Sequence, residues 1–225
     1  ADDPLVRSLR QTHSSYLRLN YYPPCGSDAK PPPLGISPHR DAGFLTILSQ
    51  DAECHSLQMC RPGEGLTDEL PPESAWISVV PERDALTVNT GDMAQIWSNG
   101  HYRAPLHRVL THPIRRRYSA PFFYNPGFAA KVGPAVTDGA RPRYSECSWG
   151  SFRAQRFAGD FADYGAEIQV TDYEEGSRSW HLENQRRFLE QADFSMPFSV
   201  EGMRHLLAGG VAGSDGDECA TPAVG

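Results

Sequence analysis

Cysteine is scarce in these 225 residues, and the motifs that put it to use are missing. Cys25, Cys54, Cys60, Cys147 and Cys219 are odd in number and form no Cys-x-x-Cys. Neither a disulfide scaffold nor a zinc ribbon is indicated, so we expect a reducing, cytoplasmic setting. No apolar run approaches the length of a transmembrane helix, and residues 1–20 hold no signal-peptide core, so no membrane association is expected. The chain begins with Ala1, so an upstream segment could carry a targeting signal. Clustered positive charge is also lacking. The net charge is -7, and the only basic run, Arg115-Arg116-Arg117, is too short for a nucleic-acid face. There is no His-Glu-x-x-His helix and no general base beside the candidate ligands, which argues against a zinc hydrolase. No internal repeat is present. Long helical patterns are missing ahead of residue 130, which excludes a doubly wound α/β fold.

What the chain does hold is turn chemistry and short apolar stretches. It has 19 Pro and 20 Gly, with 39% hydrophobic and 10% aromatic residues, enough for a packed core. Tyr16–Tyr22 reads as a strand ended by Pro23-Pro24. Residues 25–38 read as a loop delivering the chain to His39. Further strands are expected over 43–50, from Leu57, over 76–80, 86–89, 106–110 and 118–124. Residues 61–73 read as a polar surface loop. Met93–Trp97 follows Thr90-Gly91-Asp92, and Asn99-Gly100 reads as a hairpin turn. Short strands at regular spacing predict a mainly β protein: a double-stranded β-helix, or jelly roll of cupin type, over residues 12–127. Residues 128–207 are expected to form a largely helical extension. Phe157, Phe161, Tyr164 and Ile168 recur at helical spacing, and residues 180–192 read as helical too. Residues 208–225 have little to pack and are expected to be a disordered tail.

The chain is organised around Pro38-His39-Arg40-Asp41. In an extended segment His39 and Asp41 project to one face, so an imidazole nitrogen and a carboxylate oxygen can converge. Two His and one carboxylate, with positions left open, form the facial triad of non-haem Fe(II) oxygenases. For the third ligand, His101 follows a turn and His112 precedes Pro113. His107 lies inside a strand and is the one placed to point into a barrel. Ten residues on, Arg117 and Ser119 share a strand face, and a guanidinium fork beside a hydroxyl suits a carboxylate that also chelates the metal. Tyr22 offers a phenol to the same group. Phe123 has two readings, as pocket wall or as core.

Leu19-Asn20-Tyr21-Tyr22-Pro23-Pro24-Cys25, His39-x-Asp41, Gly91-Asp92, Ser98-Asn99-Gly100-x-Tyr102, His107-Arg108-Val109 and Arg117-x-Ser119 occur in this order. Together they resemble the 2-oxoglutarate- and Fe(II)-dependent dioxygenases, in the branch shared by isopenicillin N synthase, flavonoid oxygenases and gibberellin oxidases. Phe152, Arg153, Phe157 and Asp163-Tyr164-Gly165 resemble the C-terminal helices of some members. The resemblance implies His39, Asp41 and His107 as iron ligands. It implies Arg117 and Ser119, with Tyr22, as contacts of the distal carboxylate of 2-oxoglutarate, and Asn20 near that site. It implies an oxidoreductase that uses O2 and 2-oxoglutarate to hydroxylate, desaturate or cyclise a small organic substrate, releasing succinate and CO2. Two alternatives stand beside it: an isopenicillin-type oxidase that uses no 2-oxoglutarate, and a truncated jelly roll acting as a binding module. The family carries a longer region before the Asn-Tyr-Tyr-Pro strand. The chain is therefore expected to be a fragment or truncated product with an open sheet edge, and a monomer when that region is present. The stretch between Asp41 and His107 is also longer than usual, the excess falling in residues 61–73.

Overall fold

Asp3 caps the first helix, its Oδ1 accepting from the amides of Leu5 and Val6, with Pro4 in the first turn. The computed structural model describes residues 3–64, 70–135, 139–159, 168–177 and 190. In chain order its elements are α1 (Pro4–Gln11), β1 (Tyr16–Leu17), β2 (Asn20–Tyr22), β3 (Leu34–His39), β4 (Leu45–Gln50), β5 (Leu57–Cys60), β6 (Trp76–Ser78), β7 (Thr87–Thr90), α2 (Asp92–Trp97), β8 (His107–Leu110), β9 (Arg117–Tyr124), β10 (Lys131–Val132), β11 (Cys147–Ser148) and α3 (Trp149–Gly159). Single 3₁₀ turns occupy Glu73–Ala75 and Val170–Tyr173.

Two antiparallel sheets make the jelly roll. In one, β1 and β2 pair with β9, which pairs with β4, which pairs with β7. In the other the order is β3, β8, β5, β6. Inside the barrel Tyr22, Leu48, Leu57 and Val109 form a small apolar cluster. The largest core lies elsewhere, where α1, α2, α3 and the β10–β11 hairpin meet. It contains Leu5, Leu9, Met93, Ile96, Val132, Trp149, Phe152, Ile168 and Tyr173. A large side chain buried there contributes about 1.5–3 kcal/mol relative to exposure. The apolar mass therefore holds one end of the barrel, and the space between the sheets stays free.

Two expectations change. Residues 34–38 are not loop but the body of β3. Pro38 and Gly35 are tolerated because β3 is a sheet edge with two register irregularities against β8. Asp92–Trp97 is a helix, and Asn99-Gly100 ends it instead of turning a hairpin. Both residues are left-handed, with φ of 55° and 81°, as a helix terminus favours. Trp76–Ser78 and Thr87–Thr90, consecutive strands in the chain, lie in different sheets. The described part of the C-terminal extension opens with the β10–β11 hairpin before α3. Phe161, Tyr164, the expected 180–192 helix apart from residue 190, and the 208–225 tail lie outside the described residues. Among the described residues no helix is long and apolar enough to cross a membrane. Cys25, Cys54, Cys60 and Cys147 are free thiols.

Candidate active site

A cavity of about 580 Å³ opens between the two sheets. One wall comes from the edge pair β3–β8. His39 is the last residue of β3 and faces His107, the first of β8, as its register partner. Their rings stand 4.2 Å apart, centroid to centroid. Asp41 follows two residues beyond β3, outside the strand, and is 8% exposed. Its Oδ1 lies 3.8 Å from His39 Nε2 and 3.8 Å from His107 Nε2. The three donor atoms all fall within 4.8 Å of one another. Among the described residues this is the one cluster of its kind.

The atoms around the cluster leave its inner lone pairs free. His39 Nδ1 bonds the carbonyl of Ser37 at 2.8 Å, and His107 Nδ1 bonds that of Pro105 at 3.1 Å. A carbonyl only accepts, so each ring holds a proton on Nδ1 and turns Nε2 inward. Asp41 Oδ2 accepts from Thr46 Oγ1 at 2.6 Å and Asn89 Nδ2 at 2.8 Å, which leaves Oδ1 for a metal. Burial pushes His39 below the usual histidine range and neighbouring His107 pushes it further, against the Ser37 bond and Asp41. Burial alone would raise Asp41. His107, the Thr46 and Asn89 bonds and His39 together outweigh it, so Asp41 stays below the usual carboxylate range. The cluster thus brings two imidazoles and one carboxylate together, the donor set of a divalent metal site with open positions.

The facing wall is the inner face of β2 and β9. Tyr22 pairs with Arg117 and Asn20 with Ser119. Arg117 and Ser119 are buried, whereas Tyr118 between them is exposed, as strand alternation requires. Arg117 is 2% exposed. One of its terminal nitrogens donates to Gln50 Oε1 at 3.0 Å, and its guanidinium lies 5.0 Å over the Tyr22 ring. The other two nitrogens, Nε and Nη1, are buried with no partner. Leaving such donors unpaired is costly, so a fork in this state suits a planar anion arriving from the cavity. Asn20 Nδ2 donates to Ser119 Oγ at 3.3 Å. All of the expected site residues line this single cavity.

The two rejected histidines sit elsewhere. His101 is exposed and packs edge-on against Tyr102. His112 Nδ1 accepts from the amides of Ile114 and Arg115, so its lone pair stabilises a turn. Sequence reasoning missed Thr46, Asn89 and Gln50. Thr46 had a weak signal, as a polar residue on the inward face of a predicted strand. Asn89 and Gln50 had none, because their partners lie 48 and 67 residues away. Phe123, given two readings, lines the cavity and stacks on Tyr16 at 4.9 Å.

Comparison with known proteins agrees with this geometry. The chain is 38% identical over 143 residues to gibberellin 2-beta-dioxygenase 8 of Arabidopsis thaliana, covering 64% of this chain and 37% of that protein. It is 41% identical over 143 residues to jasmonate-induced oxygenase 3 of the same organism, covering 61% and 35%. The chain thus spans little more than a third of the length of these relatives. Among solved structures it resembles JOX2 in complex with 2OG, Fe and JA, at 33% identity and a TM-score of 0.54, covering 65% of this chain and 41% of that one. It also resembles the dioxygenase for auxin oxidation in rice, at 27% identity and a TM-score of 0.53, covering 65% and 47%. The family model described as the 2OG-Fe(II) oxygenase superfamily matches residues 13–126, the stretch that carries both walls of the cavity, and the chain belongs to that family.

Proposed function

We propose that this chain carries the metal and cosubstrate centre of an Fe(II)- and 2-oxoglutarate-dependent oxygenase that hydroxylates, desaturates or cyclises a small organic molecule. The observation that supports it most is the pairing, in one cavity, of three inward donor atoms with the two unpartnered nitrogens of Arg117. His39 and His107 would hold the ion through Nε2 and Asp41 through Oδ1. Arg117 would receive the distal carboxylate of 2-oxoglutarate through Nε and Nη1. Ser119 and Tyr22 would assist, and Asn20 would orient the Ser119 hydroxyl. When bound, Fe(II) and 2-oxoglutarate supply oxidation of the substrate by O2, with succinate and CO2 as coproducts. The sheets' role is to align the anchor with the metal and to keep water away from both.

The substrate class follows from charge. Five arginines, at 18, 40, 117, 153 and 156, line the cavity, and among the described residues Asp41 is its sole carboxylate. A cavity of this balance, in a chain of net charge -7, favours a substrate that carries an acid group. The deciding experiment adds Fe(II) and then 2-oxoglutarate anaerobically and follows the visible charge-transfer band, then admits O2 and measures succinate. A band and succinate are expected. Iron uptake without either would assign the chain to an oxidase that uses no 2-oxoglutarate, and failure to take up iron would mark a binding module.

A further inference from the structure

Arg156 lies in α3, thirty residues beyond the stretch that the family model matches. It is 8% exposed. Its side chain runs from α3 toward the metal cluster and lines the cavity. Nη2 donates to the carbonyl of Arg40 at 3.1 Å and lies 3.7 Å from Asp92 Oδ2. Nη1 donates to the carbonyl of Ile168 at 3.0 Å. Arg40 is the residue between two of the candidate ligands, His39 and Asp41.

The other side of Asp41 is held by α2. The Asp92 amide donates to the Asp41 carbonyl at 2.8 Å, and the Met93 amide to the Gly43 carbonyl at 3.0 Å. Gly91 permits this approach, because a Cβ there would stand 2.2 Å from the Gly43 carbonyl oxygen and 2.7 Å from that of Asp41. The Arg40 carbonyl belongs to the peptide unit before the Asp41 Cα, and the Asp41 carbonyl to the one after it. Holding both oxygens sets φ and ψ of Asp41. Those two angles set the direction of its Cα–Cβ bond, and with it where Oδ1 can reach.

We propose that Arg156 is a positioning residue for the metal centre: by gripping the Arg40 carbonyl it aims the Asp41 carboxylate, while its contact with Asp92 ties that grip to the α2 amides on the far side. The inference rests on the metal reading of His39, Asp41 and His107. It extends that reading to a helix outside the matched stretch. A guanidinium is required, because a single side chain has to satisfy two carbonyls and a carboxylate lying in different directions.

The test uses Co(II) as a spectroscopic probe, titrated into the full chain, with affinity and d–d absorption read together. Arg156→Met is expected to weaken Co(II) binding about 10- to 100-fold, the usual effect of removing a group that orients a ligand, and to alter the band envelope. Arg156→Lys keeps the charge beside Asp92 but loses the fork that spans both carbonyls, and should recover part of the affinity. Val132→Ala loosens the apolar core against which α3 packs. It should lower the melting temperature and leave affinity and spectrum unchanged. Wild-type affinity and spectrum in Arg156→Met overturn the inference, as does an equal loss in Val132→Ala, which would assign the effect to packing. Should Arg156→Met not fold, Arg156→Lys is read against Val132→Ala on the same criteria. If the wild type takes up no Co(II), the metal reading itself falls, an outcome distinct from a wild type that binds and an Arg156 variant that binds equally well.

Discussion

Arg117→Leu tests the cosubstrate anchor most directly. The substitution leaves a shorter, apolar side chain on β9 and removes the only charge the proposal assigns to the distal carboxylate of 2-oxoglutarate. Arg117 is 2% exposed, so little solvent screens the pair or replaces it. After the change the carboxylate would face the Gln50 amide and the Tyr22 ring, which between them offer no cation. Removing one partner of a buried, hydrogen-bonded charge pair costs about 2–5 kcal/mol. That corresponds to roughly 30-fold to a few thousand-fold in affinity. Ser119→Ala removes one neutral donor and should cost about 1 kcal/mol, or roughly 5-fold. Arg117→Lys should fall between, since an ammonium keeps the charge and loses the fork. The assay is titration of 2-oxoglutarate into the anaerobic Fe(II) complex, read from the charge-transfer band, with iron affinity measured separately and expected to hold in all three. Wild-type 2-oxoglutarate affinity in Arg117→Leu would refute the reasoning and move the anchor elsewhere in the cavity.

The candidate metal ligands make the next test: His39→Ala and Asp41→Ala should abolish Fe(II) binding by calorimetry, whereas His101→Ala and His112→Ala should bind as wild type, because one is an exposed surface ring and the other closes a turn. Thr46→Val deletes the 2.6 Å bond to Asp41 Oδ2 and should move that carboxyl up toward its ordinary range. Protons then compete with the metal at higher pH, so the midpoint of acid-induced Co(II) release should rise, and affinity at neutral pH should fall about 10-fold; an unmoved midpoint counts against the bond's role. Gly91→Ala should cost about 1–3 kcal/mol by overpacking, visible as a lower denaturation midpoint, and should also weaken metal binding, since the loop it displaces carries Asp41. Val88 and Leu86, at the edge strand β7, are 57% and 60% exposed. Val88→Lys should therefore reduce self-association in sedimentation without altering metal affinity, and unchanged association would show that this edge is not where copies meet.

Local rules in the sequence were enough to find several of the residues that line the cavity. Strand alternation placed Arg117 and Ser119 on one face with Tyr118 outside, and pointed His107 inward, because a period of two is a property of the backbone and needs no knowledge of the fold. The same rules misread β3, where Gly35 and Pro38 look like loop until an edge position and two register irregularities make them admissible. They left α2 unassigned as well, because six residues are too few to display a helical period. What the tertiary structure alone decided is how the candidate ligands are held. Asn89 reaches Asp41 across 48 residues, and Arg156 reaches Arg40 across 116. No spacing in the chain encodes such contacts, because they exist only after two sheets and the helices at their end have packed. The identity of the donor atoms is written locally, and their aim is a product of packing.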